Sequence, residues 1–129
     1  MRCLIGVRGL LPSLVLLVGL IPVASGHHGW GWASDELAEI TGEIVDVRLG
    51  NPHGEVDIDI DGETWTIEVG QPWRNERAGL TAELLEPGGE LTVLGNVSER
   101  EGERLVKAVR VTTTDGHHDL YPGRIPDSD

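Results

Sequence analysis

From Ile40 to Thr113 apolar and polar residues alternate in short runs, and glycine, proline, asparagine or aspartate interrupts each run before it grows long. A side-chain period of two belongs to strands that bury one face, so the stretch is predicted to be all-β. The cleanest run, Val56-Asp57-Ile58-Asp59-Ile60, meets Asp61-Gly62 and resumes as Thr64-Trp65-Thr66-Ile67-Glu68-Val69. Two alternating runs around Asp-Gly predict a hairpin on a two-residue turn. Ile40 to Leu49 alternates imperfectly, which predicts a first strand that is bulged or partly buried on both faces. Glu90 to Gly95 and Leu105 to Thr113 supply two further strands around a polar loop at Ser98 to Glu103.

Between the third and fourth strands, Gly70 to Gly79 ends on a glycine stop, and Thr81 is placed to N-cap a short helix before Pro87-Gly88. Three strands, a helix and two strands is the element order of an OB-fold. The expected fold class is therefore all-β, a small five-stranded OB-like barrel with a short helix between strands 3 and 4. A generic five-stranded sandwich is the alternative, and the position of the helix favours the barrel.

The N-terminus carries a different signal. Arg2 and Arg8 precede an uncharged leucine- and valine-rich stretch from Gly9 to Ile21, which Pro22 closes before small residues begin. At roughly 13 residues the stretch is too short to span a bilayer and reads as a secretory leader, cut before Gly26 or before His27. The expected divisions are a signal peptide over 1–26, an extended arm over 27–37, the barrel over 38–121 and a flexible tail over 122–129. The expected location is periplasmic or secreted, with no membrane span after cleavage. The single cysteine, Cys3, would leave with the leader, so no thiolate or disulfide enters the chemistry. What remains, about 103 residues, is one domain's worth and buries roughly 60–70% of its unfolded-chain surface.

Loss of Arg2 and Arg8 would leave 8 basic against 22 acidic residues, a net charge of −14 with neutral histidines. Such a surface repels phosphate backbones and disfavours nucleic acid as a partner, while it gathers cations and basic proteins. No nucleophile elbow, phosphate loop or helical His-Glu-x-x-His is present, so the chain is not expected to be an enzyme.

Histidines carry the leading functional expectation. A terminus beginning Gly26-His27-His28 offers an amine, two backbone amides and the His28 imidazole, a nitrogen set suited to Cu(II) or Ni(II). A terminus beginning at His27 offers that residue's own amine and imidazole. His53 stands in the turn Gly50-Asn51-Pro52-His53-Gly54. The arm from Gly26 to Leu37 reaches roughly 40 Å when extended, about the length of the first strand. Folded back along that strand, it would carry its histidines to the turn. The expected ligands are thus His27, His28 and His53, with Cu(II) favoured and Zn(II) or Ni(II) as alternatives. His117-His118 would present opposite sides on an extended chain and are read as surface. The rival reading is an acidic interaction module, without a metal role, for a basic or membrane-bound protein partner. Trp65 is expected in the core, Trp73 over an end of the barrel, and Trp30 and Trp32 as pins for the arm.

Taken together, His27-His28, Thr41-Gly42-Glu43, Asn51-Pro52-His53, Glu68-Val69-Gly70-Gln71-Pro72 and Pro87-Gly88 resemble a family of small exported bacterial proteins of unknown function. Its marks are an N-terminal His-His pair and an Asn-Pro-His turn. The resemblance runs from His27 to about Tyr121 and implies a periplasmic OB-like domain.

Overall fold

The computed structural model describes residues 29–127. Six strands, β1 (Ala33–Arg48), β2 (Glu55–Ile60), β3 (Glu63–Glu68), β4 (Glu90–Ser98), β5 (Leu105–Thr113) and β6 (Gly116–Asp119), form one sheet in the order β3-β2-β1-β4-β5-β6. A parallel β3–β5 pairing, Thr66 to Leu105 through Glu68 to Lys107, joins the third strand to the fifth and turns the sheet into a ring. Five strands thus make the expected OB-like barrel, with β6 added outside the ring against β5.

The alternation seen in the sequence becomes the core. Val56, Ile58, Ile67, Val69, Leu91, Val93, Val106 and Ala108 point inward from alternate positions, joined by Ile44, Val111 and Leu120. Where the inward spacing changes from two to three, the ladder is irregular. The register of β1 on β2 shifts between Ile44 and Asp46, so Val45 bulges outward and stands exposed. On β5 the register shifts opposite Leu94 and Gly95, which lets Ala108 and Val111 both face in.

The hairpin forms on Asp61-Gly62 with φ of 54° and 83°. Positive φ at both central residues is the two-residue turn whose twist matches the strands, and aspartate and glycine tolerate it best.

Three expectations shift. The first strand starts at Ala33 and absorbs residues 33–37 of the expected arm, through pairing with β4 at Ala33–Ser98 and Leu37–Asn96. The helix between strands 3 and 4 is α1 (Pro72–Arg77), with proline in its first turn and Gly79 at φ 72° just past its end. The segment after Thr81 makes only a 3-10 turn, Ala82–Leu84. Its neighbours Leu80 and Leu85 are drawn into the core instead, which a continuing helix would prevent. Beyond Tyr121, where a flexible tail was expected, Pro122–Arg124 forms a second 3-10 turn. Among the described residues no helix is long and apolar enough to cross a membrane.

Candidate functional site

Barrel closure decides which side chains meet. Glu68 and Lys107 are register partners on the parallel β3–β5 seam, and Lys107 Nζ donates to Glu68 Oε1. Both side chains point away from the core, yet both are buried. A charge removed from water needs a partner, and here each supplies the other.

The turn between β1 and β2 brings His53 to the same place. Its neighbour Gly54 donates its amide to Gly70 O at 2.9 Å and accepts the Val69 amide at 2.9 Å, which extends the β2–β3 ladder past its strands. A Cβ at Gly54 would stand 2.8 Å from both Leu49 and Val69 side chains, so only glycine permits that approach. Gly70 is gripped in turn by Asn75 of α1, whose Oδ1 accepts the Gly70 amide at 2.8 Å while its Nδ2 donates to Gly70 O at 2.9 Å. Fixed in this way, His53 Nε2 lies 3.3 Å from Glu68 Oε2 and 3.9 Å from Glu55 Oε1. With Lys107 on its other oxygen, Glu68 is placed to orient the imidazole as an acceptor. Two clefts flank the group and share Glu55, one lined with Asn51, Pro52 and His53, the other with Glu68, Arg104 and Leu105.

The N-terminal residues arrive from the opposite direction. Trp32 and Ala33 are buried against Leu105, and Trp32 O accepts the Glu99 amide at 3.0 Å. Trp30 lies with its ring centroid 5.1 Å from Lys107 Nζ and 3.7 Å from Arg124 Cζ, and meets Tyr121 edge-on at 5.0 Å. Both tryptophans therefore pin the chain to the barrel as expected, by burial of Trp32 and by cation–π contacts at Trp30. The expected route differs. The arm does not fold back along the first strand, because residues 33–48 are one continuous strand. The ring instead brings the two ends of β1 to one seam: Ala33 beside Leu105, and Arg48 through Glu55 to Glu68 and Lys107.

Of the three expected ligands, His53 stands at this seam, while His27 and His28 lie outside the described residues. Among the described residues no group of three or more histidine, cysteine, aspartate or glutamate side chains is arranged to hold a metal ion. His117 and His118 do point to opposite sides. His117 is exposed, with Nδ1 2.8 Å from Thr112 Oγ1, whereas His118 is buried, not on the surface as read from the sequence. Its Nδ1 lies 3.0 Å from Ala78 O and its Nε2 3.0 Å from Thr113 Oγ1. A ring protonated at Nδ1 satisfies both contacts, so His118 ties α1 to the outer strands as a structural residue. Trp65 is only half-buried against the core, and Trp73 is the most exposed large apolar side chain described.

Glu68 and Lys107 escaped the sequence reading. Each occupies an outward position of an alternating strand, where a charge reads as solvated. A faint signal was Lys107 itself, a lone lysine within the otherwise apolar run Leu105 to Val109.

Comparison with known proteins adds a family and little more. No curated protein matches the sequence well enough to count as a relative. Among solved structures, the chain is similar to the crystal structure of apo TiaS, a tRNAIle2 agmatidine synthetase, with a TM-score of 0.46 and 14% identity. That likeness covers 60% of this chain and spans 18% of the other. The sequence pattern of the family of unknown function DUF6152 matches residues 16–107, and the chain belongs to that family.

Proposed function

We propose that the protein is a binding protein, not an enzyme, and that it coordinates a divalent transition metal through His27, His28 and His53, with Cu(II) as the preferred ion. The observation that carries this reading is the position of Trp30. Its ring packs on Lys107, Lys107 pairs with Glu68, and Glu68 touches His53. A single residue, Gly29, separates Trp30 from His28, about 7 Å of extended chain between their Cα atoms. The paired histidines thus begin within reach of the turn histidine.

The electrostatics favour a cation. Glu68 and Lys107 cancel one another, while Glu55, 3.9 Å from His53, shares the single guanidinium of Arg48 with Asp46 and Asp57, which leaves the group net negative. Nitrogen donors with a nearby carboxylate suit Cu(II), Ni(II) or Zn(II), and an N-terminal amine with imidazoles favours Cu(II). The leader must be removed for that amine to exist, which places the working protein in the periplasm or outside the cell.

The test uses protein recovered from its own host without denaturation, weighed intact and analysed for metals. The expected result is a chain that starts at Gly26 or His27 and carries copper. Cu(II) titration should then show binding weakened at least about tenfold in both His28→Ala and His53→Ala. A retained leader, trimming beyond His28, or unchanged Cu(II) affinity in both variants would remove the reading.

A further inference from the structure

The described residues hold eight basic side chains. Five of them face carboxylates: Arg48, Arg100, Arg104, Lys107 and Arg110. Arg74, Arg77 and Arg124 have no such partner among the described residues. In a chain with 22 acidic and 10 basic residues, carboxylates are the abundant species, so a guanidinium without one is the exception. Arg74 and Arg77 line one cavity of about 340 Å³ together with Trp73, Asp119, Leu120 and Pro122.

Each wall of that cavity has a definite character. Arg74 is half-buried and held in place by neutral groups. Its Nη1 donates to Leu120 O at 3.0 Å, its Nε donates to Gln71 Oε1 at 3.2 Å, and its Cζ sits 4.1 Å from the Tyr121 ring centroid and 4.5 Å from that of Trp73. These contacts fix the plane of the guanidinium and leave its charge uncancelled, with three of its five N–H donors still to use. Asp119 does not cancel it, because Arg110 takes that carboxylate through Nε and Nη2. Trp73 presents a ring that is 53% exposed beside the two cations. A half-buried guanidinium, an exposed one and an exposed indole form a complementary surface for one kind of molecule: a negative head on a flat apolar body.

We propose that this cavity binds a small aromatic carboxylate, with its carboxylate between Arg74 and Arg77 and its ring against Trp73. The volume is at the lower end of ligand pockets and suits a one- or two-ring acid. The acidic surface of the protein does not forbid an anion here. Its field is screened over about 8–10 Å, whereas charge-assisted hydrogen bonds act at contact.

The experiment titrates the protein, as its host produces it, with 2-naphthoate, with neutral 2-naphthamide and with inorganic phosphate. Binding is read by calorimetry and by the Trp73 indole N–H resonance, assigned through Trp73→Phe. Naphthoate should bind at least about tenfold more tightly than naphthamide and than phosphate. Arg77→Gln, at an exposed residue, should weaken naphthoate at least about fivefold and leave naphthamide unchanged, while Arg100→Gln, outside the cavity, should alter neither. Equal affinity for acid and amide, phosphate binding as tight as naphthoate, an unaffected Arg77→Gln variant, or no response of Trp73 to naphthoate would each overturn the proposal.

Discussion

Glu68 and Lys107 are the two residues whose meaning changes most between sequence and structure. In the sequence each is a charge on the outward side of a strand. In the barrel they are a buried ion pair across the seam, with His53 on one flank and Trp30 on the other. Removing one partner of such a pair strands the other without water, whereas replacing both with apolar groups does not. Lys107→Met is therefore expected to destabilise the protein by about 3 kcal/mol, and adding Glu68→Leu should recover most of that loss. Urea unfolding of the single and double variants measures both quantities. A Lys107→Met cost below about 1 kcal/mol would mean that the pair does not secure the seam. His53 shows the opposite case. Its turn was legible because Asn-Pro-His-Gly is strong local punctuation, but its carboxylate neighbour was not, because that neighbour belongs to the next hairpin.

Among the elements, β1 controls the shape. Its first part pairs with β4 and its last part with β2, and the two pairings overlap at Glu43, which faces both Glu90 and Asp59. Gly42 sits one residue before that overlap. A Cβ there would meet Asp59 O at 2.5 Å and the Ile60 side chain at 2.9 Å, and a backbone carbonyl in a ladder has little room to retreat. Gly42→Ala should cost about 1–3 kcal/mol, read as a lower urea midpoint. Gly31→Ala, where an added Cβ meets nothing within 4 Å, serves as the control. The hairpin and the bulge were legible because both are local: one depends on two adjacent residues, the other on a break in period. The helix was misplaced for a local reason too. Thr81 is a sound N-cap by type, but the two leucines that bracket the segment had a better partner in the core than in a helix. The proline and glycine that bracket α1 were visible in the sequence as punctuation around a connector.

At the scale of the whole molecule, charge and topology act together. Lowering the pH from 7 toward about 4.5 relieves the self-repulsion of a chain with net charge −12, which favours the folded state slightly. Below that the direction reverses. At Asp119 the hydrogen bond from Arg110, with its charge, outweighs burial and holds the carboxyl below the ordinary range. At Asp57 burial pushes upward, but the hydrogen bonds from Arg48 and Thr66 and the charge of Arg48 together overcome it. A carboxylate with a depressed folded-state pKa contributes stability above its unfolded value, near 3.9, and that contribution is lost as the pH falls through the lower folded value. Urea midpoints should therefore fall from about pH 4 downward. The fall should be shallower in Asp119→Asn, which has no carboxylate left to titrate at that position. Identical acid limbs in the two proteins would show that the Arg110 contact leaves stability unchanged. What could be read along the chain was whatever depends on neighbours a few residues apart: the period of two, the Asp-Gly turn, the bulge in the first strand, the order of elements, and with them the OB-like class. What could not be read was whatever depends on closing the ring. Register across a parallel seam joins residues dozens of positions apart, and no local pattern encodes it. The meeting of His53, Glu68, Lys107 and Trp30 exists only because the sheet closes on itself and excludes water from one set of outward-facing charges, whereas Trp73, Arg74 and Arg77 are neighbours on α1 and only the wall of Asp119, Leu120 and Pro122 beside them is brought by tertiary packing.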